Sequence, residues 1–401
     1  MNNAKSNSTC RRQIFVFCIF FMTTIIAHAQ TAEWKKSLSL GKSSLENRFR
    51  FYIKDATVFY FTTEDWDEST RMLKVSSLET TSSKRDSFIV SIPETVIFYD
   101  LPEIALNDDF LIMTDEEKMD IYRFGKTGNT YKFLNKIILP PHTNGQFVNF
   151  LKKNLFLVQC LYNFHPLDST NNTNLGIYDA ATDKILNFIH PDLPCIGFTH
   201  LDMSYVTNSD NLIAVANPCG YKIVLYDFNL KAKDSIDYTP KTGWTALPGN
   251  KIPGETDPSK IHPKLLIDNL VALKDSVSII EKIFFINNDY LLISATGKSY
   301  GDNNRRIDYW NIKNSKSPAY SFPKAKIYYN ENDTIQLKKC PLILNECKRS
   351  IIHNNLIYTL NDDDFFPEDN QLFKIFNNKK NIYYEDNTPN FSVSIYRINL
   401  Q

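Results

Sequence analysis

The sequence predicts an all-β fold of repeated four-stranded units, and in particular a six-bladed β-propeller. The first observation is a recurrence: six times, an apolar strand-like run is followed, after a polar gap, by a second strand. Successive pairs lie roughly 45 to 80 residues apart, enough for about four strands per unit, a period typical of propellers. The second is composition, because 13% of the residues are aromatic and 43% are hydrophobic, which favours strands over helices.

The six pairs occupy corresponding places in their units. The first runs are 56–63, 109–115, 155–162, 211–217, 289–296 and 356–362, and their partners are 71–78, 118–125, 173–180, 222–228, 306–312 and 391–400. Apolar and polar residues alternate in 222–228, as in a half-buried strand. The pairs predict units at 49–92, 95–140, 146–189, 195–238, 276–330 and 348–400.

The last unit lacks a fourth strand, because the chain ends after the strand 391–400. Residues 33–41 form a candidate, and a strand from the start of the chain would complete the last blade and close the ring without an open edge. Segment 239–275 contains five prolines and predicts a long loop between the fourth and fifth blades. Strands within it would instead give seven blades.

The first 29 residues predict a cleaved export signal. Arg11 and Arg12 precede an apolar stretch, 14–26, that is short for a membrane span. Ala27 and Ala29 are the small residues expected before a cleavage site, which places the mature start at Gln30. An uncleaved membrane anchor is the alternative. The propeller would then occupy 30–401 in the periplasm or outside the cell, with no integral membrane segment after cleavage.

The charge gives no reason to expect nucleic acid. The chain has 45 basic and 45 acidic residues, and its first 29 residues include three basic ones, so the remainder carries a net charge of −3. There is no basic run that would attract a polyanion.

The chain resembles a known family in three respects: the signal ending at 27–30, the Glu33–Trp34 start of the mature chain, and the six strand pairs. These features are similar to those of the secreted six-bladed propellers of Bacteroidota, TolB-like in arrangement. The resemblance covers nearly all of the mature chain and implies the fold. It carries over no catalytic motif, and the per-blade His and Trp-Asp signatures of WD40 repeats are absent.

The loops that join second to third strands, and those that join blades, share one face of a propeller. Several large side chains fall in this predicted face: Trp66, Trp244, Tyr300, Arg305, Arg306 and Phe365. Exposed aromatic rings beside polar groups suit a glycan or peptide ligand. The alternative is that the rings pack down and hold their own loops in place.

Three loops of this face are acidic, and a closed ring would place them side by side. The candidate metal ligands are Asp65, Asp67, Asp115, Asp362 and Asp364. Clustered carboxylates can bind Ca²⁺, but the spacing of an EF-hand is missing, so a solvated acidic surface is the alternative. No other cofactor is expected.

Cysteines and histidines give weaker signals. In an oxidising compartment the pairs Cys195–Cys219 and Cys340–Cys347 are candidate disulfides, and the fifth mature cysteine, Cys160, is left over. The loop histidines show no spacing typical of metal ligands. Neither a Gly-x-Ser-x-Gly elbow nor a His-Glu-x-x-His helix is present.

The sequence therefore predicts an exported, non-catalytic propeller that binds a glycan, a peptide or a partner protein on its loop-rich face. One alternative is a metal-dependent propeller hydrolase, lactonase or lyase. Another is a scaffold of the cell envelope.

Overall fold

The computed structural model describes residues 31–42, 49–98, 101–115, 120–141, 143–162, 173–191, 206–217, 220–241, 244–245, 277–296, 304–313, 316–326, 350–353, 356–361 and 390–399. These residues form β-strands almost throughout, and the one helical element among them is a single 3₁₀ turn, Thr63–Asp65. No helix in this part of the chain is long and apolar enough to cross a membrane.

The strands follow one another as antiparallel meanders. After β1 (Thr31–Lys42), the first meander contains β2 (Phe49–Lys54), β3 (Thr57–Thr62), the short β4 (Trp66–Asp67), β5 (Met72–Glu79) and β6 (Arg85–Ser91). The second contains β7 (Glu103–Leu106), β8 (Phe110–Asp115), β9 (Asp120–Thr127) and β10 (Thr130–Lys136). We call these units 1 and 2, and number the later units in the same way.

Units 3 to 5 are separate four-stranded sheets. Unit 3 contains β11 (Thr143–Lys152), β12 (Leu155–Tyr162), β13 (Thr173–Asp179) and β14 (Lys184–Ile189). Unit 4 contains β15 (Val206–Asn208), β16 (Ile213–Asn217), β17 (Lys222–Tyr226) and β18 (Ala232–Asp237). Unit 5 contains β19 (Ile279–Phe285), β20 (Tyr290–Thr296), β21 (Asn304–Asn311) and β22 (Tyr320–Lys326).

The last meander contains β23 (Ser350–His353), β24 (Leu356–Asn361) and β25 (Asn390–Asn399), which we call unit 6. In its sheet, β1 pairs antiparallel with β25 from Thr31 opposite Asn399 to Lys42 opposite Asn390. The six predicted strand pairs are confirmed: β12 coincides with the predicted run, and the ends of the other strands shift by at most two residues.

Units 1 and 2 are joined by hydrogen bonds into one sheet. Their outer strands, β6 and β10, pair in parallel, with Ile89, Val90 and Ser91 opposite Thr130, Tyr131 and Lys132. The two meanders therefore form a single nine-stranded sheet.

Apolar side chains lie between successive sheets. Phe61 of β3 and Phe124 of β9 belong to one cluster between units 1 and 2, and other clusters join units 2 and 3, units 3 and 4, and units 4 and 5. Packing each sheet face to face with the next buries both faces of the strands. Successive four-stranded meanders packed in this way are the architecture of a β-propeller.

The turns between first and second strands are built alike and contact one another. The Asn107 side chain accepts hydrogen bonds from the backbone N–H groups of Asp109 and Phe110, and Asn287 does the same for its own turn in unit 5. Lys54 Nζ lies 2.7 Å from Asp108 Oδ1, which joins the turns of units 1 and 2. These contacts place the corresponding turns of neighbouring units at the same end of the sheets.

Candidate functional site

The two ends of the sheets carry connections of different length. At the end where first and second strands are joined, which we call the turn end, the connections are short, as at 55–56 and 153–154. At the opposite end, which we call the loop end, most consecutive described strands are separated by more residues in the sequence, although 116–119 and 218–221 are short. The long ones are 63–71, 92–102, 163–172, 190–205, 238–278, 327–349 and 362–389.

Buried polar residues gather at the loop end as well. Those at the loop-end termini of strands, or just before a first strand, are Thr62, Thr114, Asp115, Asn174, Asn217, Ser278 and Arg306. Thr80 and Asn107, by contrast, are buried at the turn end. Because buried polar groups require hydrogen-bond partners, the loop end is organised by polar contacts, such as that between Asn174 Oδ1 and His190 Nδ1 at 3.1 Å.

Side chains of units 1 and 3 meet across the first strand of unit 2. The Tyr52 hydroxyl hydrogen-bonds to the backbone of Phe150, and Lys54 Nζ lies 5.5 Å from the centre of the Phe150 ring. Ala105 of β7 lies between them, and its small side chain leaves room for this contact. The space between the first strands of units 1 to 3 is thus filled near the turn end.

The loop 63–71 contains two of the proposed metal ligands, and both are engaged within the loop. Asp65 Oδ2 accepts hydrogen bonds from Thr62 N at 2.8 Å and from Thr62 Oγ1 at 3.0 Å. Asp67 accepts from the hydroxyls of Thr70 at 2.6 Å and Ser69 at 2.7 Å. The bonds from Thr70 and Ser69 lower the pKa of Asp67 to about 2, so this carboxylate stays ionised at neutral pH.

Trp66 in the same loop is half-buried. Its ring packs against the core between units 1 and 2, and the Arg71 guanidinium carbon lies 5.2 Å from the ring centre. Arg71 also donates a hydrogen bond to the Pro93 carbonyl at 3.0 Å. The indole is therefore held between its own loop and the core, with part of its surface at the loop end open to solvent.

Trp244 belongs to an aromatic cluster between units 4 and 5, together with Tyr221, Tyr238 and Trp310. Its ring centre lies 5.2 Å from that of Tyr221, edge to face, and Tyr238 packs 5.3 Å from Trp310 in the same way. Edge-to-face pairs at such distances are stabilising. Trp244 thus anchors the start of the longest connection, 238–278, to the sheets.

Thr245 and Ser278, which lie on either side of most of that connection, are hydrogen-bonded to each other. Thr245 N donates to Ser278 Oγ at 2.9 Å, and Ser278 N donates to the Thr245 carbonyl at 2.8 Å. The described residues on either side of 246–276 are therefore held together directly.

Arg306, proposed from the sequence as a ligand-binding residue, is 3% exposed and forms an ion pair with fully buried Asp308. Arg306 Nε lies 2.6 Å from Asp308 Oδ2, which also accepts a hydrogen bond from the Tyr221 hydroxyl of unit 4. Ser321 Oγ bonds to both charged groups. Burial, and next the Asp308 carboxylate, raise the pKa of Tyr221 well above its usual value. We call Arg306, Asp308, Tyr221 and Ser321 the buried network, of which Ser321 is the exposed member.

The remaining candidates are placed as follows. Asp115 is buried at the loop-end terminus of β8, and Arg305 lies in β21 opposite Ala325. Tyr300, Phe365, Asp362 and Asp364 lie outside the described residues. Within the described ranges, no three His, Cys, Asp or Glu side chains are close enough to hold a metal ion together.

Cys160 is a buried, free thiol in β12. Burial raises its pKa to about 12, so the thiol is protonated and unreactive at neutral pH. The other four mature cysteines, Cys195, Cys219, Cys340 and Cys347, lie outside the part of the chain that the structure describes, and the two proposed disulfides remain predictions.

Sequence reasoning missed Asp308 and Tyr221. Asp308 follows Arg306 by two residues, so both side chains lie on the same face of a strand, which is a pattern that also occurs on solvated strands. The residues around Asp308 indicated its burial in the sequence, because Ile307, Tyr309 and Trp310 are large residues that favour a buried strand.

No family model matches the sequence, and no curated protein matches it. Solved structures do match the fold of this chain. A protein of Bacteroides fragilis NCTC 9343, provisionally described as exported, aligns with a TM-score of 0.54 and 11% identity over 93% of this chain and 97% of that one. At this identity the comparison shows a shared fold and carries no statement about activity.

Two more distant structures align with lower scores. A member of the DUF4221 family from Bacteroides vulgatus ATCC 8482 has a TM-score of 0.47 and 9% identity over 93% of this chain and 99% of that one. The Dos1 propeller has a TM-score of 0.38 and 12% identity over 85% of this chain and 75% of that one.

Proposed function

We propose that this protein is an exported binding protein that recognises a glycan, a peptide or a partner protein at its loop end, without catalysis. The observation that carries the proposal is that the longest connections and most of the buried polar strand ends lie at the same end of the sheets. A rigid sheet scaffold with long loops at one end is how many proteins present a binding surface.

The proposal includes a closed ring of six blades, TolB-like in arrangement. Its support is the pairing of β1 with β25, together with contacts between unit 6 and unit 1. Leu40 of β1 and Ile395 of β25 pack with Ile53 of β2, and Arg85 of β6 donates a hydrogen bond to the Ser39 carbonyl at 2.6 Å. Export is supported by the N-terminal pattern of 1–29, and by the fold shared with a protein provisionally described as exported.

Removal of 246–276, with Thr245 joined to Val277 through a short Gly-Ser linker, should leave the melting temperature within a few degrees of the original value. The reason is that Thr245 and Ser278 are already hydrogen-bonded, so a short linker spans the gap without strain. Thermal unfolding followed by circular dichroism measures the effect. Loss of the folded protein would show that this segment is part of the core and not a loop-end element.

The binding proposal is tested by presenting the labelled mature protein to a glycan array and to a peptide library. Ligands found in either screen should bind more weakly to the 246–276 deletion or to Trp66→Ala. They should bind equally well to Tyr290→Ala, in which a partly buried aromatic residue is changed at the turn end. Equal loss in all three variants would contradict binding at the loop end, and no ligand in either screen would favour the envelope scaffold.

The metal-dependent alternative predicts a change in melting temperature that is specific to Ca²⁺, whereas our proposal predicts none. Because Asp65 and Asp67 already accept hydrogen bonds from their own loop, we expect Ca²⁺, Mg²⁺ and Na⁺ at equal ionic strength to shift the melting temperature equally. A shift specific to Ca²⁺ that disappears in Asp362→Asn with Asp364→Asn would instead establish a metal site. At a hundredfold excess over its dissociation constant, such an ion would stabilise the fold by about 2.7 kcal/mol.

A further inference from the structure

Arg71 joins two connections of the loop end, one that contains Trp66 and one that contains Pro93. Its Nη2 atom donates hydrogen bonds to the Pro93 carbonyl at 3.0 Å and to the Val96 carbonyl. Its guanidinium carbon lies 5.2 Å from the centre of the Trp66 ring, and its own carbonyl accepts a bond from Ile92 N at 2.9 Å. The indole and the Val96 carbonyl are therefore held on the same guanidinium group.

Ile97 follows Val96 directly, and much of its side chain is exposed. Val96 is 2% exposed and belongs to the core between units 1 and 2, whereas Ile97 is 49% exposed. The next residue, Phe98, packs edge to face on Tyr122 of β9, with 5.6 Å between the ring centres. Core contacts on both sides thus fix the position of Ile97 beside the partly exposed Trp66.

The two connections carry an excess of negative charge. Segments 63–71 and 92–98 contain five acidic residues and one basic residue, Arg71, whose guanidinium is bonded to the two carbonyls. Glu68 and Glu94 are exposed, one in each segment. Because carboxylates in joined segments add to one local field, this part of the loop end favours a cationic partner over an anionic one.

Two basic side chains of neighbouring strands do not offset this charge, because each has an acidic partner. Lys136, which lies opposite Tyr122 in the ladder of β9 and β10, pairs with Asp120 at 2.6 Å. Arg50 Nε lies 3.4 Å from Glu103 Oε1. Each pair is neutral, so the excess that comes from the two connections remains.

We propose that Trp66, Ile97, Glu68 and Glu94, which we call the junction surface, bind a short segment of a partner protein in which an apolar side chain lies beside lysine or arginine. Trp66 and Ile97 supply the apolar contact, and tryptophan is enriched among residues that dominate binding. The two glutamates attract and orient the basic residue. This inference rests on the proposed binding at the loop end and narrows it to a basic peptide at the junction of units 1 and 2.

The test uses mature protein and four families of short synthetic peptides, which carry leucine or serine at some positions and lysine or glutamate at others. Only the family with both leucine and lysine should bind in fluorescence anisotropy, and its affinity should fall with salt. Ile97→Ser should weaken binding about tenfold. Glu68→Gln with Glu94→Gln should weaken it and reduce its dependence on salt.

Two variants elsewhere in the chain serve as matched controls. Leu186→Ser removes an apolar side chain of unit 3 that is also 49% exposed, and Asp86→Asn removes an exposed carboxylate of β6. Both should bind the peptides like the original protein. The melting temperatures of all these variants should stay within a few degrees, because the changed side chains are exposed.

Equal binding of the glutamate and lysine families, or equal losses in Ile97→Ser and Leu186→Ser, would overturn the junction surface. So would a failure of all four families to bind. If the glycan array then yields a ligand that the 246–276 deletion weakens, binding at the loop end stands and only the junction surface is refuted. If no screen yields a ligand, the proposed function fails with it.

Discussion

Arg306→Met is expected to lower the free energy of unfolding by about 3–5 kcal/mol, because it leaves the Asp308 charge buried without its cation. Asp308 is completely buried, and the groups left to it in the buried network are the hydroxyls of Tyr221 and Ser321. Two neutral donors do not replace a guanidinium at 2.6 Å. Denaturant unfolding followed by tryptophan fluorescence measures the loss.

A double variant separates the cost of an unpaired charge from that of altered packing. Arg306→Met combined with Asp308→Leu should be less destabilised than Arg306→Met alone, because no buried charge is left without a partner. The control is Lys313→Met, which breaks an ion pair with Asp289 whose side chains are 73% and 48% exposed, and should cost less than about 1 kcal/mol. Equal losses for Arg306→Met and Lys313→Met would contradict the importance assigned to the buried pair.

Removal of β1 is expected to prevent folding to a soluble state. The deletion removes the hydrogen bonds between Thr31–Lys42 and β25, and takes Leu40, which is 6% exposed, out of the core that it shares with Ile53 and Ile395. Typical domains are stable by about 5–15 kcal/mol, so the loss of a whole strand exceeds what most can tolerate. Soluble yield and thermal unfolding provide the measurement.

The strand can also be supplied separately. If the deletion fails because the edge of β25 is left open, a synthetic peptide of residues 31–42 added during refolding should restore soluble protein, and a scrambled peptide should not. A deletion variant that melts like the full chain would refute the closure of the ring through β1. The 246–276 deletion is a useful comparison, because it removes more residues and is expected to be tolerated.

The regular strands could be predicted because burial follows the pleat. In β17, Ile223 and Leu225 are buried while Lys222 and Val224 are partly exposed, so the period of two is visible in the sequence itself. The pairing of residues 33–41 with the last strand was inferred from a missing partner, and the structure places β1 beside β25.

The candidate site was less predictable, because residue type does not reveal burial. Arg306 and Trp66 were both proposed as ligand-binding residues. Arg306 is buried in an ion pair, whereas Trp66 packs against the core with part of its surface exposed, and its role stays a prediction. The acids of 63–71 suggested a metal, which stays a prediction, and Asp65 and Asp67 accept hydrogen bonds from neighbouring hydroxyl and backbone groups. Such contacts depend on the local fold of a loop, which has no periodic pattern to read.

The parallel pairing of β6 with β10 has a consequence for the order in which the chain opens. Hydrogen bonds such as that from Ile89 N to the Asn129 carbonyl, 3.1 Å long, cross from one unit to the next, so opening one unit also breaks bonds of the other. Units 1 and 2 are also consecutive in the chain, so they can form one cooperative block before the later units exist. Hydrogen exchange should then report a single slow value for the paired strands β2 to β10, and faster, separate values for the sheets of units 3, 4 and 5.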